Sequence, residues 1–289
     1  MKKIFLLSNI LTLGFIAVAN ASDKLYEGMA KPWQLNLQPP ATPVMEELVW
    51  MHNILLVICF AIPIFVLTIL AIICVRFNRK RNPVPSKKSH NTKLEIVWTV
   101  IPILVLVSIA IPSLSLHYYM DQDVDADMTI KASGHQWYWH YEYPDNGNIS
   151  FDSYILKDNE LKEGDHRLLA VDNRLVVPVD TVVKVLVTGA DVIHAFAVPA
   201  FGVKIDAVPG RLNQTWFKAN RTGRFYGQCS ELCGVGHGFM PIVIDVVSKE
   251  EFANWVASKN GVDKPVEKVS AEKSAIKSKD KNIVSGNKN

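Results

Sequence analysis

The chain has 289 residues, long enough for one or two domains, and a formal charge of +3 built from 31 Lys/Arg and 28 Asp/Glu. Its bulk composition is ordinary, with 49% hydrophobic and 20% charged residues, and nothing in it points to a nucleic-acid partner. What distinguishes the sequence is how unevenly the apolar and charged residues are spread.

Residues 1–21 read as a secretory signal peptide. Lys2 and Lys3 give a basic start, a Leu/Ile/Phe-rich run follows, and Ala19-Asn20-Ala21 offers a small-x-small cleavage site before Ser22. An uncleaved first membrane helix is the alternative. Residues 22–47 then form an exported N-terminal segment. A membrane helix is expected over residues 48–76, where Ile54 to Val75 has only Thr68 as an overtly polar residue. A second is expected over residues 94–118, around the apolar run Ile96 to Leu116. At about 1.5 Å per residue each run covers roughly 30 Å, the thickness of a bilayer's hydrocarbon core. Pro63, Pro102 and Pro112 are tolerable kinks there. A buried soluble hairpin is the competing reading. Cys59 and Cys74 lie in the first run and read as apolar packing.

Between the runs, RFNRKRNPVPSKKSHNTK (Arg76 to Lys93) holds seven Lys/Arg and no acid. Short basic loops stay on the cytoplasmic side, so residues 77–93 are expected there. Both mature termini then face the periplasm of a bacterial inner membrane, in agreement with the signal peptide.

From Met128 the pattern changes to period two. TIKASGHQWYWHYEYP, SFDSYILK, RLLAV, TVVKVLV and PIVIDVV are β-rich runs. Turn signals at Pro144–Gly147, Glu163–Asp165, Val208–Gly210 and Arg221–Gly223 separate them. Residues 119–258 therefore read as an antiparallel β sandwich or barrel, closed by one amphipathic helix, KEEFANWVASK. Trp137, Trp139, Tyr141 and Tyr143 would share one strand face. Between His117 and Ser258 there are 12 Lys/Arg against 19 Asp/Glu. Such an acidic exported face would attract a basic partner and raise its on-rate, unless the charge is only solubilising. The tail, residues 259–289, is Lys-rich, has no aromatic residue and is expected to be disordered.

The most informative stretch is CSELCGVGHGFM, Cys229 to Met240. In an exported domain a disulfide between Cys229 and Cys233 is one reading, and a zinc site another. The neighbours favour copper. His237 follows Cys233 by four residues, Met240 follows by three more, and His194 waits upstream in ADVIHAFAVP. A distant histidine followed by Cys, His and Met close together is the ligand set of a blue-copper site. Cys229 is one thiolate too many for a single copper. Two thiolates can bridge two copper ions, with one histidine on each, Met240 on one and the carbonyl of Glu231 on the other. The soft residues thus build a binuclear copper centre. A rigid β scaffold would hold its ligands in advance.

The chain resembles subunit II of cytochrome c oxidase, in the form with two membrane helices and a cupredoxin-like copper A domain. The matching stretches, between about Met45 and Lys259, are MEEL, Glu95-x-x-Trp98, GHQWYWHYEYP, VDNRLVVP, DVIHAFAVP, PGRLNQT and YGQCSELCGVGHGFMPI. The resemblance implies an all-β cupredoxin-like domain on a two-helix transmembrane hairpin. Its copper ligands would be His194, Cys229, Glu231 through its carbonyl, Cys233, His237 and Met240. It also implies that the Glu231 side chain helps hold a magnesium ion shared with subunit I. Trp137 would be the point where electrons from cytochrome c come in. Glu142, Asp145, Asp172 and Asp191 would be the acids that dock cytochrome c, although Gly147 and Asn148 stand where some relatives carry acids. Glu95 would sit at the mouth of a proton pathway into subunit I; alone, it could equally be a helix-start residue well placed for the dipole. Oxygen reduction and proton pumping would take place in subunit I, with further oxidase subunits and membrane lipid as neighbours. A periplasmic copper carrier or chaperone and a quinol-oxidase-like subunit II are the competing functions. The second would lack the copper ligands.

Overall fold

The computed structural model describes residues 28–261. The expected signal peptide and the tail from residue 262 onward lie outside the described residues. The chain divides into a helical unit, residues 46–122, and a β unit made of residues up to 45 and from 123 onward.

The helical unit is built on two long helices, α1 (Pro43–Arg76) and α2 (Thr92–Met120). α1 begins five residues before the expected span and ends with it at Arg76, whereas α2 runs two residues beyond the expected span at each end. Asn91 accepts from the Leu94 amide at 3.3 Å at the start of α2. Asn78 donates its side-chain amide to the Val75 carbonyl at 3.0 Å at the end of α1. At 1.5 Å per residue, the helices run about 50 Å and 43 Å, longer than a hydrocarbon core. No residue of α2 is buried, and Phe60, Leu67, Leu106 and Ile111 are all more than half exposed. Helices apolar all round have no inner face to hide, so a lipid environment is what these side chains require.

Among the described residues the β unit holds ten strands. A five-stranded sheet runs in the order β3-β2-β1-β5-β8: β3 (Ile149–Ser153), β2 (Tyr138–Tyr143), β1 (Met128–His135), β5 (Val182–Gly189) and β8 (Asn213–Lys218). A three-stranded sheet has the order β4 (Leu175–Pro178), β10 (Pro241–Val247), β9 (Gly223–Gln228). A hairpin of β6 (His194–Val198) and β7 (Val203–Ala207) completes it. One core takes side chains from all three, including Ile130, Tyr141, Phe196, Phe217, Phe225 and Ile244.

The sandwich is mixed rather than wholly antiparallel. β1 pairs parallel with β5, and β4 parallel with β10. Parallel neighbours need a crossover, and β2 to β4 with the loop 154–174 supply the first one. RLLAV falls in that loop, where only Val171 makes a bridge, to Ile155. The long run TIKASGHQWYWHYEYP is two strands, β1 and β2, folded into a hairpin at Gln136-Trp137. Trp139, Tyr141 and Tyr143 do alternate onto the buried face, but Trp137 sits in the turn and does not share it. The closing helix α3 (Lys249–Lys259) starts in a full capping box between Ser248 and Glu251, which anchors its position in the sequence.

Residues 28–42 are not a free lead-in. The Tyr226 amide donates to the Gly28 carbonyl, the Ala41 amide to Ala200, and the Asn220 amide to Ala41. The Thr42 hydroxyl, fully buried, donates to the Phe201 carbonyl at 2.7 Å. The segment straps the β unit before the chain turns into α1.

Candidate metal centre

The loop Cys229 to Met240 joins β9 to β10, which pair antiparallel with Gln228 opposite Pro241. Its two ends are thus clamped at one register position. Inside it, the Phe239 amide donates to Gly236 at 2.8 Å and the His237 amide to Gly234 at 3.2 Å. The Ser230 amide ties the loop to β6 through the Ala195 carbonyl at 3.1 Å. That bond brings His194, the first residue of β6, beside Cys229.

Both cysteines are buried and free. Their sulfurs lie 3.9 Å apart, nearly twice a disulfide bond length but within twice a metal–thiolate distance of about 2.3 Å. Around them stand four more donors. His194 Nδ1 is 3.9 Å from the Cys229 sulfur, and the Glu231 carbonyl oxygen 3.3 Å from it. His237 Nδ1 and Met240 Sδ each lie 3.6 Å from the Cys233 sulfur. The other four donors named from the sequence therefore converge on one pair of sulfurs. Two thiolates, two imidazoles and a thioether form a soft set that suits copper, so the residues present fit the expected metal.

The electrostatics match. Burial pushes the Cys229 thiol up, but hydrogen bonds from His194 and from the backbone at Ala195 and Glu231 override it and bring it well below the ordinary thiol range. Burial and the neighbouring Cys229 sulfur together hold the Cys233 proton on. Without a cation, the pair gives up one proton readily and resists losing the second. A bound cation would remove that resistance.

A supporting layer surrounds the donors. The Nε2 of His194 meets the Asp191 carboxylate at 2.8 Å, which leaves Nδ1 for the sulfur side. Asp191 also accepts from the amides of Gln136 and Val192 at 2.8 and 2.7 Å. Burial opposes it, but these three hydrogen bonds hold the Asp191 carboxyl below the usual range. Burial also opposes the charged form of His194, but the Cys229 sulfur and then Asp191 raise its ring above the ordinary histidine value. Trp139, fully buried, donates to the Met240 carbonyl at 3.3 Å and meets the His194 ring edge-on at 6.2 Å. Gly134 leaves room for that ring: a Cβ there would lie 2.8 Å from it.

Trp137 is half-buried against the same loop. Its indole N–H donates to the Cys233 carbonyl at 3.2 Å, beside the Gln136 side chain at 2.8 Å. The ring lies flat on the backbone at Gly236, where a Cβ would come within 2.4 Å of it. The other predicted residues lie elsewhere. Glu142 pairs with Lys131, and Asp145 accepts from the Thr129 amide at 2.7 Å. Asp172 accepts from the Tyr154 and Asn173 amides, both at 2.7 Å. At about 3.3 Å per residue along β2, Glu142 is roughly 16 Å from Trp137. Asp152, an acid that no local motif marks, binds His140 at 2.7 Å from the neighbouring strand. Glu95, in the first turn of α2, meets the His90 ring at 2.8 Å. Glu231 is exposed, although its carbonyl lies 3.3 Å from the Cys229 sulfur.

Comparison with known proteins assigns the chain. The model for the cytochrome c oxidase subunit II periplasmic domain matches residues 128–247, and the model for the subunit II transmembrane domain matches residues 30–116. A probable cytochrome c oxidase subunit 2 from Rickettsia felis is 53% identical over 86% of this chain and 79% of its own length. The chain belongs to the cytochrome c oxidase subunit II family. A Rickettsia bellii relative of the same description is 52% identical over 89% of this chain and 95% of its own. Among solved structures, the periplasmic domain of subunit II of cytochrome oxidase from Bradyrhizobium japonicum is 64% identical. It covers 48% of this chain and 98% of that one, with a TM-score of 0.46. This chain is thus a membrane-anchored, copper-binding subunit of an oxidoreductase complex, working beside other oxidase subunits.

Proposed function

We propose that the chain is the electron-input subunit of its oxidase, holding a binuclear copper A centre on His194, Cys229, the Glu231 carbonyl, Cys233, His237 and Met240. The observation that carries this reading is the pair of free, buried thiols 3.9 Å apart within a ring of imidazole, thioether and carbonyl donors. When bound, the two ions share one electron, so that the charge change at each is small. The protein's part is to hold six donors still while that charge comes and goes. The clamped loop ends, the Asp191 brace on His194 and the Trp139 contact with Met240 support that role.

Trp137 is the point of electron input from cytochrome c. Its half-buried ring reaches the surface on one side and, through its N–H, the backbone of a copper ligand on the other. Glu142, Asp145, Asp172 and Asp191 belong to the acidic docking face. The Glu231 carboxylate helps hold magnesium at the contact with subunit I, and Glu95 stands at the start of a proton route into that subunit. Residues 48–76 and 94–118 cross the bacterial inner membrane. Residues 77–93 are cytoplasmic, and residues 22–47 and 119–258 periplasmic. Oxygen reduction and proton pumping belong to subunit I.

Copper analysis and a visible spectrum of the purified complex test the assignment. Two coppers bound by this chain, with the absorption of a charge-delocalised pair, are expected. A single ion, or oxidised Cys229 and Cys233 in the metallated complex, would end it.

A further inference from the structure

The proposed electron path makes no use of the link between the two long helices. That link carries seven Lys/Arg between Arg76 and Lys93, and no Asp or Glu. All seven side chains are exposed. Among the described residues none of them pairs with a carboxylate. Glu95, the nearest acid in sequence, is engaged by His90 instead. The cations are also presented in order. Asn78 closes α1 with its side-chain amide, and its carbonyl oxygen accepts from the Lys80 and Arg81 amides, both at 3.0 Å. Arg79, Lys80 and Arg81 therefore project from a turn fastened to the helix end. Two apolar spans bracket the link, so it lies at the headgroup layer of whichever leaflet it faces.

We infer that this turn is a binding site for anionic phospholipid, with the phosphodiester and negative charge of phosphatidylglycerol-type headgroups as its ligand. The inference rests on the two helices spanning a bilayer and is independent of the copper site. Guanidinium groups present paired N–H donors that match phosphate oxygens, while Lys80 adds a point charge. Unpaired cations at this depth gain from an anionic surface and gain nothing from a zwitterionic one. Charge that served only to orient the helices during insertion would be indifferent to the headgroup.

The test uses the assembled oxidase in phosphatidylcholine bilayers containing a minor fraction of phosphatidylglycerol. Retention of spin-labelled phosphatidylglycerol is measured against spin-labelled phosphatidylcholine. Arg79→Gln/Lys80→Gln/Arg81→Gln should lower the preference for the anionic lipid by roughly fivefold or more, the effect of losing one to three surface cations. An unchanged preference would overturn the site. Since these cations also help orient the helices, the unaltered complex gives a second measurement. Its preference should collapse at about 1 M salt, where screening reaches only about 3 Å, and its persistence would count against the inference. Inorganic phosphate at millimolar concentration should leave the preference intact. Full competition would make the ligand free phosphate rather than lipid.

Discussion

The carboxylate of Asp191 lies 2.8 Å from Nε2 of His194, and the opposite nitrogen of that ring faces the Cys229 sulfur at 3.9 Å. The acid thereby chooses which nitrogen is free to bind metal. Asp191→Asn removes the charge and one of the two acceptor oxygens, which serve the Gln136 and the Val192 amides separately. It should weaken copper binding about 10- to 100-fold, the usual cost of losing such a brace. Competition against a calibrated copper chelator checks this, and equal affinity in both proteins would mean that the ring is oriented by packing alone.

That relationship also marks how far the sequence could be read. Cys229, Glu231, Cys233, His237 and Met240 share one loop, so their donor chemistry was visible as a local pattern. His194 could be added because few other residues complete the set. Asp191 read only as a surface acid, since nothing in its neighbours says that the turn before β6 folds its carboxylate under the ring. The period-two pattern runs unbroken through the hairpin turn at Gln136-Trp137, so periodicity alone puts Trp137 on the strand face that it does not share. The parallel pairs β1–β5 and β4–β10 and the strap at residues 28–42 depend on long-range pairing, which local periodicity does not encode.

The glycines of the copper loop are not equivalent. A Cβ at Gly236 would lie 2.4 Å from the Trp137 ring, whereas one at Gly238 would meet nothing within 4 Å. Gly236→Ala should push the indole off the loop and break its hydrogen bond to Cys233, at an overpacking cost of about 1–3 kcal/mol. Electron uptake from cytochrome c should slow, and Trp fluorescence should shift. Gly238→Ala should do neither. Equal behaviour of the two variants would show that the Trp137 contact is unimportant.

Trp137→Phe separates docking from transfer. A smaller aromatic ring replaces the indole, and the N–H bond to the Cys233 carbonyl is lost. The rate of electron uptake at saturating cytochrome c should fall while the affinity for cytochrome c stays nearly constant. A loss of affinity at constant rate would place Trp137 in docking instead.

Met240 is 1% exposed, and its sulfur is the only thioether near the cysteines among the described residues. Met240→Leu conserves volume, so it should cost less than about 1.5 kcal/mol of stability. The thioether donor disappears, and the reduction potential of the centre should change. Redox titration of the copper absorption checks this. An unchanged potential would remove Met240 from the ligand set.

The capping box of α3 gives a prediction outside the copper site. Hydrogen bonds from the backbone and hydroxyl of Ser248 hold the Glu251 carboxyl below its ordinary value. A folded-state value below the unfolded one stabilises the helix above the unfolded pKa of about 4.3, and that stabilisation fades as pH falls through the folded value. Ser248→Ala should destabilise α3 by about 1 kcal/mol at neutral pH. Hydrogen exchange at the Phe252 and Trp255 amides should report the loss. The gap between the two proteins should narrow as the solution is acidified below the ordinary glutamate range, because the hydroxyl's bond to the charged Glu251 carboxylate, present only with Ser248, is weakened by protonation. A gap that stays constant through that range would assign the effect to the Ser248 hydroxyl's bond from the Glu251 amide, with no contribution from the carboxylate.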